Sequence, residues 1–194
     1  MLKAMIYLAR TMALIGGAML TALVILTCIS VMGRELNALG NASGWAAVLQ
    51  PIGSFARSIG IGPINGDFEV VEAGVAFAIF AFLPVAQLYS SHATVDVFTS
   101  LLSRKANMII MACWELVFCI IILLITARLF AGFEGKLSNG ETSLMLQFPI
   151  WWAYLASFFA AIAASIVAVY VAIARWAELA TGRQWLPGAE GAER

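Results

Sequence analysis

The sequence predicts an all-α membrane protein: a four-transmembrane-helix bundle with an amphipathic interfacial helix between its first and second spans and both termini cytoplasmic. Three observations carry that expectation. Of the 194 residues, 62% are hydrophobic and only 11% are charged, whereas an ordinary soluble domain has about 45–50% and roughly 25%. Mean hydropathy is +0.94. The charges are also unevenly placed and leave four long runs almost free of them. This composition excludes a soluble globular enzyme and a disordered tail. It excludes nucleic-acid binding by charge as well, because 11 Lys and Arg balance 11 Asp and Glu with no basic patch.

A helix that crosses the hydrocarbon core needs about 20 apolar residues. Thr11–Gly33, Ala73–Val95, Ala106–Ala127 and Thr142–Ala174 supply four such runs. They predict spans at roughly 8–33, 69–90, 106–129 and 149–175 within one membrane domain, 1–194. The first run has Lys3 and Arg10 ahead of it, as a signal peptide does. Its 23 charge-free residues exceed the about 7–15 of a signal's apolar core, and no small-x-small cleavage site closes it. It is expected to remain as the first span. With four spans both termini share a side, which carries Lys3, Arg10, Arg104, Lys105, Arg175, Arg183 and Arg194. The other side has Arg34, Arg57, Arg128 and Lys136. The excess of basic residues places the termini in the cytoplasm.

Between the first two spans, Trp45, Val48, Leu49, Ile52, Phe55, Ala56 and Ile59 recur at steps of three and four. They form one face of an amphipathic helix at roughly 44–59. It is too short to span, so it is expected to lie flat in the outer interface. Pro51 falls in its middle.

The second span opens with Glu69 and Glu72 on one helical face. The macrodipole of a helix start suffices to explain Glu69. Glu72 lies a turn deeper and calls for a cation, with Arg34 or Arg128 as candidates. Pro84 is expected to kink the span. Gln87, Ser90, His92 and Asp96 make its inner end polar, with His92 and Asp96 four apart. In the third span Glu115 lies about nine residues, roughly 13 Å, along the axis. An ionised carboxylate there costs several kcal/mol unless it is paired or protonated. It is either a polar contact to a neighbouring helix or a proton or cation relay. The first is favoured because no second deep acid accompanies it. In the fourth span Ala153, Ser157, Ala161, Ala164, Ala168 and Ala172 form a seam of small residues that lets helices approach closely. Gly16, Gly17, Gly74 and Ala78 are similar. These seams outnumber the needs of one small bundle and point to a membrane partner. Trp151, Trp152 and Tyr154 mark the outer end of that span.

No catalytic constellation is present: no P-loop, GxSxG or HExxH occurs. Cys28, Cys113, Cys119 and the single His92 are too scattered to form a metal site. No catalytic residue, metal site or cofactor is therefore expected. The two halves do not align, so the inverted repeat of a complete secondary transporter is missing.

The stretch Gly66-Asp-Phe-Glu-Val-Val-Glu72, the span ending Leu83-Pro-Val-Ala-Gln87, then His92-Ala-Thr-Val-Asp96, and finally Glu141-Thr-Ser-Leu-Met-Leu-Gln-Phe-Pro149-Ile-Trp-Trp152 resemble the small membrane subunit of tripartite ATP-independent periplasmic (TRAP) transporters. Their order and spacing carry the resemblance over nearly the whole chain. Tyr89, Ser90 and Ser91 stand where that family often has basic residues before the histidine. The resemblance implies a bacterial or archaeal inner-membrane subunit without catalysis of its own. Its partners would be a large permease subunit, a periplasmic solute-binding protein and the lipid bilayer. The large subunit would carry substrate and ion sites for a symport, usually sodium-driven and typically of carboxylates. The small one would brace it and help the binding protein dock. Glu69, Glu72, Pro84, His92, Asp96, Pro149 and Trp152 become motif positions with structural or interface roles, and Glu115 an intramembrane polar contact. Trp45, Leu49, Ile52, Phe55 and Ile59 would extend the scaffold. The rival reading from the residues alone is a stand-alone proton- or cation-coupled carrier, working as a homodimer through Glu115.

Overall fold

In lipid, every backbone N–H and C=O has to be satisfied within its own segment, so long apolar runs fold as helices. The computed structural model describes residues 1–41, 48, 50–58, 62, 64–89, 104–181 and 186. They form five helices: α1 (Leu2–Gly40), α2 (Gln50–Ser58), α3 (Asp67–Leu88), α4 (Arg104–Asn139) and α5 (Trp151–Thr181). Four of these, all but α2, are long and apolar enough to cross a membrane. An isolated antiparallel bridge, Thr142 to Pro149, is the one piece of extended pairing among the described residues. Trp45, Leu49, Ile59, His92 and Asp96 lie outside the described residues.

Each long helix overlaps one apolar run; α1, α4 and α5 are longer than the expected spans, whereas α3 has the expected length and starts two residues earlier. α1 continues to Gly40 and α4 to Asn139. Hydropathy finds the part of a helix that lipid requires; the polar turns beyond it keep the helix going because nothing there breaks it. Pro51 is not mid-helix. It is the second residue of α2, in the first turn, where a missing N–H costs nothing. α3 runs on through Pro84 to Leu88.

α1 and α3 pack antiparallel along a seven-residue seam. The buried positions of α1 include 9, 16, 23 and 30, and those of α3 include 67, 74, 81 and 88. They meet in register. Ala9 and Leu88 share a buried cluster. A Cβ on Gly16 would come within 3.0 Å of the Ala81 Cβ, and one on Gly74 within 2.8 Å of Leu23 Cδ1. Ser30 and Asp67 are joined through Arg34, which donates to both. A spacing of seven is the repeat that keeps one seam facing its partner in a left-handed crossing, and small residues along it allow close approach.

α5 is the central helix. The apolar window of α5 is 56% buried and that of α1 only 11%. One face of α5, with Val167, Val171 and Ala174, joins the cluster of Ala9, Leu88 and Tyr89. The other, with Ala164, Ala168 and Ala172, packs on Cys119 and Ile122 of α4. The α4–α5 seam continues through a hydroxyl pair, Thr126 Oγ1 to Ser165 Oγ at 2.9 Å. It ends in rings, Phe130 on Phe158 and Phe133 on Trp151. The order is therefore α1, α3, α5, α4, with α1 also touching α5. Among the described residues α1 and α4 make no extended contact, so this is an open row and not a closed four-membered ring.

The small-residue seam is accordingly used inside the chain. Ser157, Ala161, Ala164, Ala168 and Ala172 are all buried, so this seam closes the chain's own row, whereas a Cβ on Gly17 would meet nothing within 4 Å. The uncovered surface is instead large and apolar: Val24 and Met32 on α1, and Trp114, Ile120 and Leu124 on α4, are all exposed. The first turns of α1 share a cluster with Ala174 and Leu186, so both ends of the described chain lie at one end of the row. The α4–α5 connection lies at the other, called here the loop end.

Candidate functional site

The polar residues that the sequence singles out collect at two levels of the row, one at the loop end and one nearer the chain ends.

At the loop end the α3 N-terminus holds the α4–α5 connection. Gly66 has φ +84°, a conformation that favours glycine, and it starts α3 directly under Leu146. Glu69, one turn in, is buried. Its carboxylate accepts the Met145 N–H at 2.8 Å on Oε1 and the Leu146 N–H at 3.0 Å on Oε2. The connection is itself a tight hairpin. The Ser143 N–H donates to the Phe148 carbonyl at 2.9 Å and the Ile150 N–H to the Glu141 carbonyl at 3.1 Å. Pro149 forms the bridge with Thr142. The two bonds of that bridge come from its neighbours, so the missing N–H of Pro149 costs no pairing, and its carbonyl accepts the Trp152 N–H at 3.1 Å as α5 begins. Lys136 donates to Glu141 across the mouth of this loop, and that hydrogen bond, reinforced by the ammonium charge, holds the exposed Glu141 carboxyl below its ordinary 4.5. Trp152, 62% exposed, leans on Trp151 with ring centroids 5.7 Å apart.

The cation of this region is differently engaged than expected. Arg34 of α1 pairs with Asp67, Nη2 to Oδ2 at 2.5 Å, and also donates to Ser30 Oγ at 3.1 Å. Glu72 is exposed and makes no ion pair among the described residues; Arg128 is exposed too. Asp67 was overlooked because it stands just outside the predicted span. The signal is in the register: Ser30 and Asp67 continue the seven-residue repeat of α1 and α3, and Arg34 lies one turn beyond Ser30. Glu69 has a larger role than a helix-dipole partner, and the signal for it is the tight connection itself, whose N–H groups need acceptors where they are covered.

At the second level Gln87 of α3, 1% exposed, meets Glu115 of α4, 7% exposed. The Gln87 Nε2 donates to Glu115 Oε2 at 3.2 Å. The expected helix-to-helix contact of Glu115 is thus within this chain. Pro84 lies one turn from Gln87 and is fully buried. Among the described residues no group of three or more His, Cys, Asp or Glu is arranged to hold a metal ion.

A row of four helices, each long and apolar enough to cross a membrane, with two uncovered apolar flanks, has the make-up of a multi-pass membrane protein. The family model described as "Tripartite ATP-independent periplasmic transporters, DctQ component" matches residues 23–179. That stretch runs from the middle of α1 nearly to the end of α5. The chain belongs to this family, the small permease component of TRAP transporters. No curated protein and no solved structure matches it closely enough to refine that assignment.

Proposed function

We propose that the chain is the fixed membrane brace of its transporter. It holds the large permease subunit in the inner membrane and helps a periplasmic solute-binding protein dock, for sodium-coupled uptake of a carboxylate-type solute. Its termini are cytoplasmic and its loop end faces the periplasm. The observation that carries this reading is the engagement of the buried acids. Asp67 is tied to Arg34, Glu69 to the α4–α5 hairpin and Glu115 to Gln87. Each fastens one helix to another or to a loop, which suits a part that stays still while its partner moves. The exposed apolar flanks of α1 and α4 supply the surface for lipid and the large subunit. α2 extends that footprint at the loop end, with Ile52 and Phe55 exposed.

The test is capture of the tagged chain from its native membranes in mild detergent, with mass spectrometry of what accompanies it. A stoichiometric large polytopic permease supports the brace. A chain that runs alone or as a homodimer, under conditions that preserve known complexes, overturns it. Glu115→Gln separates the brace from a relay: uptake by the assembled transporter persists in a brace and is lost in a relay that still assembles.

A further inference from the structure

α3 and α4 flank α5 without lying along each other, and toward the loop end they leave a cleft of about 480 Å³ between them. Its back wall is α5, and Glu69 holds the hairpin over its top. Phe68, Phe80, Leu129 and Phe148 line it, with small Ala76 between. That is the size and character of a small-molecule site: mostly apolar, with a few placed polar groups. Glu69, Thr142, Ser143 and Tyr154 belong to its hairpin end, and two further polar groups, Glu72 and Ser157, lie along it. Glu72 lies at the rim, exposed and without an ion pair among the described residues. Ser157 is 2% exposed, and its hydroxyl has no hydrogen-bond partner. A buried hydroxyl left so is disfavoured, and a ligand acceptor would relieve it.

The length and the blind end of the cleft decide what fits. From Glu72 to Phe80 it follows α3 for about 12 Å, most of the depth of one leaflet in a roughly 30 Å hydrocarbon core. Beyond Phe80 it is shut. Leu83 packs on the Cys119 and Ile122 cluster, and Gln87 bonds Glu115. A spanning helix of another subunit needs a groove along the full thickness of the bilayer, whereas an acyl chain needs half of it. We propose that this cleft seats one acyl chain of a glycerophospholipid whose protonated amino headgroup rests on Glu72. Glu72 lies five residues into α3 and Ser157 six into α5, roughly 7.5 and 9 Å from their loop-end starts. Both line the same cleft, and the Ser157 hydroxyl, on its back wall, is the donor available to an ester carbonyl of that lipid.

The test is native mass spectrometry of the protein, with whatever subunits stay bound, reconstituted in mixed dioleoyl phosphatidylethanolamine and phosphatidylglycerol and then released. The wild type keeps one lipid per chain and prefers the ethanolamine form about twofold to fivefold. Glu72→Gln, an exposed change that leaves packing alone, keeps a lipid and loses the preference. Ala76→Phe fills the cleft and loses the lipid while circular dichroism stays helical. If Ala76→Phe does not fold, the Glu72→Gln comparison decides. A preference untouched by Glu72→Gln, equal retention by a folded Ala76→Phe, or no retained lipid at all overturns the proposal. So does a cross-link from position 76 to another subunit in place of lipid.

Discussion

The Glu115 carboxyl group sits inside the apolar part of α4 and accepts from the amide of Gln87. Within a membrane a polar side chain that loses its partner has no water to turn to. Gln87→Leu should therefore destabilise the chain by about 1–3 kcal/mol, the cost of a buried group left unsatisfied. The double variant Gln87→Leu/Glu115→Leu should cost less than the two single changes together, because it removes both ends of one interaction. Thermal unfolding in detergent across the four proteins gives the coupling, and additive effects would refute the pair. Glu69 makes a different prediction. Glu69→Gln keeps one acceptor oxygen but turns an NH2 toward a backbone N–H, so one of the two hairpin bonds is lost. Limited proteolysis between Thr142 and Pro149 should become faster than in the wild type, with a loss of about 1–3 kcal/mol. Unchanged cleavage would mean that the hairpin holds itself.

Elements in this protein are joined where backbones come close. α2 rests on the end of α1 at Gly53, where an added Cβ would fall 2.2 Å from the Gly40 nitrogen and 2.6 Å from the Leu36 oxygen. Backbone on the other side cannot rotate away as a side-chain tip would. Gly53→Ala should therefore lift α2 from α1, at a cost in the range of about 1–3 kcal/mol typical of overpacking. Hydrogen exchange reads this directly: amides of 50–58 should lose protection while α3 to α5 keep theirs. Equal protection would show that α1 shifts to make room. The α1–α3 seam differs, because the atoms facing a Cβ on Gly74 are the flexible ends of Leu23 and Met19. These elements were legible to different degrees. The apolar runs announce four spans, and the steps of three and four announce α2. The seven-residue register of α1 and α3 is also written in the chain, but as Ala, Gly, Leu and Ser in one helix and Asp, Gly, Ala and Leu in the other. A scale that rewards hydrophobicity alone passes over such a list, because in lipid the contact face is marked by small size.

For the whole molecule, the proposed orientation has a direct consequence. With Cys28, Cys113 and Cys119 replaced by serine, a cysteine at Ser138 should react with a membrane-impermeant maleimide from the periplasmic side. A cysteine at Lys3 should react only after the membrane is opened. The reverse pattern would invert the protein and remove the hairpin from the face where a binding protein docks. The open row also explains why so much apolar surface remains. A closed four-helix ring would cover the inner flanks of α1 and α4, whereas the row leaves both to lipid and to partner subunits.

The sequence by itself determined that this chain has four helices long and apolar enough to cross a membrane, and the family it belongs to. Lipid imposes those constraints locally: about twenty apolar residues, satisfied backbone and charges at the ends. Which acid meets which partner was decided by the tertiary structure alone. Arg34 lies thirty-odd residues from Asp67 and from Glu72 alike, and only the rotation of α3 against α1 selects Asp67. The same rotation gives Glu69 to the hairpin and leaves Glu72 at the rim of the cleft. Hydropathy is read along the chain, but pairing depends on the angle at which each side chain leaves its helix, and that angle is set by how the helices pack.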